Sequence, residues 1–212
     1  MRRKKQPSLK PGAIGLRGAL VCAALAMAGG ASVSLADQTA DNSAGAAKTL
    51  PAGASDLRPE LKELLPLNQL VGKGRLTYWG FEVYVARLWA APGFKLDELA
   101  SQPFALELDY LRDFASADVA GRSILEMRRS ASISDAQAKS WTQEMQRVIP
   151  DVRKGDRVMG IHQPGMGATF FVNGKPSGEI RDAGFAKLFF GIWLSPKTSE
   201  PKLRSALLAG AM

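Results

Sequence analysis

Cysteine and histidine are nearly missing from this chain, which has one of each, Cys22 and His162, in 212 residues. No His/Cys zinc cluster can be built from so few ligands, and no intrachain disulfide can form. His162 alone does not make a catalytic centre, because general-base work needs an orienting acid and a nucleophile, and no such pair is evident around it. It reads as a hydrogen-bonded structural histidine. An Asp-rich calcium loop is absent too. Gly72-Lys73-Gly74 and Gly165-Met166-Gly167 lack the third glycine of a dinucleotide fingerprint, and neither opens a strand-helix-strand unit. The phosphate-loop lysine pattern and the serine-hydrolase elbow are missing as well. No metal and no cofactor is therefore expected.

Acid is absent from residues 1–36, which hold Arg2, Arg3, Lys4, Lys5, Lys10 and Arg17, followed by small apolar residues from Gly18 to Ala36. A basic start, an apolar middle and Ser34 and Ala36 at the exit are the marks of a secretory signal peptide cleaved after Ala36. The alternative, an uncleaved anchor, suits the run poorly, since its many Ala, Gly and Ser residues make it weakly hydrophobic. Removing this segment takes the only cysteine with it and leaves 22 basic against 20 acidic residues, so a net charge of +8 falls to +2. A nucleic-acid partner loses its electrostatic basis. The expected location is the periplasm.

Residues 37–56 are mostly Ala, Gly, Ser, Thr, Asp and Asn, too poor in large apolar side chains to offset the entropy of ordering, and read as a flexible leader. The folded domain is assigned to 57–212. Two strands meeting near Gly80 account for Val71 to Ala90, the second of them apolar on both sides, as in a strand covered on each face or lining a pocket. A short helix at 95–100 leads to a strand, Phe104 to Tyr110, whose Phe104, Leu106, Leu108 and Tyr110 alternate with Ala105, Glu107 and Asp109. Two carboxylates on one strand face would suit a glycosidase, but they read as the wet side of a half-buried strand. Helices follow over 116–128 and, behind the capping box Ser134/Gln137, up to Pro150. Strands return at 157–163, 168–172 and 175–181, with Asn173-Gly174 as a tight turn. Asp182 caps a helix carrying Phe185, Phe189 and Ile192, and a last helix holds Leu203, Leu207 and Leu208. Blocks of strands and helices without strand-helix alternation predict an α+β fold, an antiparallel sheet with helices on one face.

Four stretches together resemble the chalcone isomerase-like superfamily, in its bacterial exported branch: Gly72 to Arg75 with Val83 to Trp89, the strand Leu106 to Tyr110, the hairpin Phe170 to Lys175, and Phe185 to Pro196 with Leu203, Arg204, Leu207 and Leu208. The resemblance implies an open-faced β-sandwich with a cleft between sheet and helices. Plant members cyclise chalcones, while related non-enzymatic members bind fatty acids in that cleft. It further implies that Arg75, after the glycine pair, faces a ligand's anionic end and that Tyr84 joins it. The tyrosine and asparagine that the isomerases carry on the helix after the third long strand have no match in Ala117 to Arg122, and the threonine that precedes the isomerases' glycine-valine-tyrosine segment is not matched where Trp79, Gly80 and Phe81 stand.

The resulting expectation is a non-catalytic protein binding a small amphipathic anion, such as a fatty acid, with Arg75 and Tyr84 at its head group and no catalytic residues. Other placements stay open: Arg75 on an edge strand paired with Glu82, and Tyr84 in the core. Two further classes remain. One is an isomerase or cyclase using Arg75 to stabilise an oxyanion; the other is a partner-binding module with Phe189, Phe190 and Trp193 as its interface.

Overall fold

A computed structural model describes residues 58–211. The chain divides into two units, Met1–Thr49 and Leu50–Met212, and the described residues all belong to the second. The signal-peptide reading, its cleavage point and the leader at 37–56 lie outside the described residues.

Six strands form one antiparallel sheet in simple sequence order: β1 Gln69–Tyr78, β2 Phe81–Ala90, β3 Phe104–Tyr110, β4 Arg157–Gln163, β5 Gly167–Val172 and β6 Lys175–Ile180. Tight turns set the outer hairpins. Asn173 and Gly174 sit at φ 51° and 78°, and Trp79 and Gly80 at φ 52° and 80°, the left-handed pairs that match the twist of a two-residue hairpin. Asn and Gly tolerate that region easily; Trp79 does not, and it is also exposed.

Between β3 and β4 the chain leaves the sheet for two helices, α2 Ser116–Met127 and α3 Asp135–Val148. (The short helix α1, Leu61–Leu64, precedes β1.) The Ser134 hydroxyl accepts from the Gln137 amide at 3.2 Å, so the cap seen in sequence starts α3. After β6, the Asp182 carboxylate accepts from the Phe185 amide at 2.9 Å and from Trp141 Nε1 at 2.9 Å. It therefore starts α4, Ala183–Leu194, and ties that helix to α3. The last helix, α5, is Pro201–Leu207.

Alternation along the strands decides what each face does. Ala86, Leu88, Leu106, Leu108, Val158 and Phe170 turn toward α2–α5 and join Met127, Met145, Phe185 and Phe190 in the main core. At the β1 edge α5 lies directly on the backbone. A Cβ on Gly72 would stand 2.3 Å from the carbonyl oxygens of Ala206 and Leu207, and one on Gly74 2.6 Å from Leu203 Cδ1. The glycine pair exists to admit a helix.

The opposite face is covered in part by α1, where Leu61 and Leu65 pack on Trp89, Ala105, Met159, Ile161 and Phe171. This overturns the reading of Glu107 as the wet side of its strand. Its carboxylate is fully buried, held by Arg58, by Arg87 Nη1 at 2.8 Å and by Arg157 Nη1 at 3.5 Å. Arg87 also pairs with Asp109, and Arg157 with Glu60 at 2.7 Å. Three guanidiniums thus meet three carboxylates in a neutral network, the arrangement that makes a buried charge tolerable. Period-two alternation located Glu107 on this face correctly but carried no information about the cover arriving from residues 58–65.

Candidate functional site

A cavity of about 360 Å³ lies between the helix-facing side of the sheet and α2 and α4. That volume falls within the range of small-molecule sites. Leu76, Leu106, Leu108, Val158, Gly160 and Phe170 supply the sheet wall, and Val119, Ile149, Phe189 and Ile192 close the other side. On β4, Gly160 leaves room where a Cβ would come within 3.3 Å of Phe170 and Phe190. Both walls are made of aliphatic carbon and aromatic rings. An apolar chain is the natural occupant, each square ångström removed from water contributing about 25 cal/mol.

Polar groups gather at one end. On α2, Asp118, Arg122 and Glu126 follow one another at four-residue intervals and so share a stripe facing the cavity, with Ser123 beside them; Ser199 and Glu200 approach from the start of α5. Tyr84 and Tyr110 stand across from them on β2 and β3, edge to face with centroids 6.1 Å apart. Trp193 Nε1 donates to the Tyr84 hydroxyl at 2.9 Å. Burial raises the Tyr84 pKa well above the ordinary tyrosine value; the Trp193 hydrogen bond acts against this, and the nearby Tyr110, Glu200 and Glu126 add to it. Tyr110 is raised by burial as well. Both phenols stay neutral, so each presents an O–H donor rather than an anion.

The two residues expected to bind a head group are not brought together. Tyr84 lines the cavity, while Arg75 does not. Arg75 is in register with Val85, whereas Tyr84 is in register with Leu76, which places the two predicted residues on opposite faces of the sheet. The Arg75 side chain is half exposed and ion-paired with Glu82, the edge-strand placement that the sequence left open. Its parity follows from the glycines: Gly72 and Gly74 face α5, so the next residue faces away. An oxyanion role for Arg75 in this cavity has no geometric basis. Nor do Phe189, Phe190 and Trp193 form an external interface, since all three are buried.

Asp118, Arg122, Glu126 and Glu200 escaped sequence reasoning as site residues. The signal available was the four-residue spacing on α2; the approach of Glu200 from 74 residues further along the chain than Glu126 had none. His162 is buried, stacked on Phe104 with centroids 4.8 Å apart, and its Nδ1–H donates to the Gln102 carbonyl at 3.1 Å. It is a structural histidine. Among the described residues no cluster of three or more His, Cys, Asp or Glu side chains is arranged to hold a metal, and no helix is long and apolar enough to cross a membrane.

A single antiparallel sheet with a helical layer on one face and a cavity between them is the architecture of the chalcone isomerase fold. The chalcone isomerase-like family model matches residues 65–209, and the chain belongs to that family. An uncharacterized protein of Haemophilus influenzae is 29% identical over 140 residues, covering 66% of this chain and 67% of that protein. Among solved structures, an Arabidopsis thaliana fatty-acid binding protein superposes with a TM-score of 0.52 at 12% identity, over 67% of this chain and 87% of that one. At that identity the likeness is one of fold.

Proposed function

We propose that this protein binds a small amphipathic, lipid-like ligand without turning it over, sheathing the apolar part in the cavity and meeting the polar head at the Tyr84, Glu126 and Glu200 end. The observation that carries this reading is the cavity itself: about 360 Å³ between sheet and helices, lined mostly by apolar side chains with Asp118, Arg122, Glu126 and Glu200 among them. The chalcone isomerase-like membership and the fatty-acid binding protein of the same fold support it. The location that belongs with this reading is the periplasm, reached through the basic and apolar leader ending at Ala36; a mature N-terminus at Asp37 in a periplasmic extract is the check.

Native mass spectrometry of protein purified from its own cells tests the binding. A retained adduct of a few hundred daltons, lost on denaturation, is the expected result. Repeated absence of any adduct, together with no thermal shift from a panel of long-chain amphiphiles, overturns it.

A further inference from the structure

Resting on the binding reading above, the charge at the polar end names the class of head group. Asp118, Glu126 and Glu200 line the cavity together with Arg122, and Arg129 reaches Glu126 from outside the lining, so three carboxylates meet two guanidiniums. Arg122 is already committed, its Nη2 lying 2.6 Å from Glu126 Oε1. Glu126 is nine-tenths buried, and its second oxygen, Oε2, is shut off from solvent with no hydrogen-bond donor; Arg129 Nε, 3.6 Å away, pairs with it by charge but is too far to donate a hydrogen bond. Neither Glu200 nor Asp118 makes an ion pair among the described residues, and Glu200 is half buried and close enough to bear on the Tyr84 phenol. The guanidinium that was to receive an anion, Arg75, is on the far face of the sheet.

An incoming carboxylate would therefore enter a region with an excess of negative charge and a buried acceptor already short of a donor. A protonated amine reverses each of these terms: it brings positive charge and three N–H donors, for Glu126 Oε2, for the Glu200 carboxylate and for the Tyr84 oxygen, which retains a lone pair after accepting from Trp193. We infer that the cavity is built for a cationic amphiphile, an apolar chain or ring system bearing a primary amine, and that Glu200 and Glu126 are the groups that select it.

Titration calorimetry with dodecylamine, dodecanol and dodecanoate, each below its micellar concentration and at physiological salt, decides the point. Equal chain lengths hold the burial term constant. The amine is expected to bind at least tenfold more tightly than the carboxylate and several-fold more tightly than the alcohol, and Glu200→Gln is expected to bring the amine within threefold of the alcohol. Glu126→Gln should act in the same direction, so either variant that folds suffices. Arg75→Ala should leave the order unchanged. A carboxylate bound as tightly as the amine, an alcohol equal to it, or an amine preference untouched in a folded glutamine variant overturns the cationic assignment while leaving the carrier reading intact. Failure of all three ligands to bind overturns both.

Discussion

Arg75 and Tyr84 occupy adjacent strands one register position apart, and the sheet separates them: Tyr84 points to the cavity with Leu76, Arg75 to the other side with Val85. Arg75→Ala is accordingly expected to change ligand affinity by less than twofold. Its exposed pair with Glu82 contributes little, so stability should move by no more than about 0.5 kcal/mol. Side-by-side calorimetry and urea unfolding measure both.

Tyr84→Phe should behave differently. Removing the hydroxyl strands Trp193 Nε1 in a buried site, and an orphaned buried donor costs about 1–3 kcal/mol. A lower urea midpoint, with weaker binding of any ligand that uses the phenol, is the expected outcome. Unchanged stability would mean that the indole finds another acceptor.

Glu107→Gln tests the ionic network on the opposite face. It leaves Arg58, Arg87 and Arg157 around a neutral amide at a fully buried position, and breaking a buried pair from one side costs about 3–5 kcal/mol. Ligand binding, on the other side of the sheet, should survive wherever the variant remains folded.

The reading of the fold from sequence succeeded where local chemistry is decisive. β3 and β4 run between the residues that alternation picks out, Asn173-Gly174 makes its turn, and Ser134 and Asp182 start their helices. It failed where a distant segment decides the outcome. Nothing in Phe104 to Tyr110 announces that α1 will cover Glu107, and the Gly72/Gly74 pair looks the same whether it admits a ligand or a helix. Of the site, Tyr84 was named through the family resemblance, and it lines the cavity. The acidic groups were not legible, since Glu126 and Glu200 come from different helices and their meeting is a property of the packed layer alone.

Gly72→Ala addresses that helix contact. The added methyl would meet the backbone of α5 rather than a side chain able to turn aside, so overpacking should cost about 1–3 kcal/mol or displace the helix. Because Glu200 stands at the start of α5, binding should weaken along with stability.

His162 gives stability a pH dependence with a definite sign. Burial lowers its pKa below the ordinary 6.5, outweighing the hydrogen bond to the Gln102 carbonyl, which acts to raise it. Between the lowered folded value and 6.5 the unfolded chain binds more protons, so this contribution is fully present above 6.5 and is lost as pH falls through the folded value. One proton limits the slope to about 1.4 kcal/mol per pH unit. Unfolding midpoints between pH 7 and 5 should decline in the wild type and decline less in His162→Gln.

The knot of guanidiniums beneath α1 has a practical meaning for anyone trimming this gene. The family match begins at residue 65, yet Arg58, Glu60 and Leu61 are stitched into the back of the sheet through Glu107, Arg157 and Trp89. A fragment cut at the homology boundary would uncover the Glu107 ion-pair network and a greasy patch to its neighbours, and would clump in the tube while one starting a few residues before Arg58 stays clear.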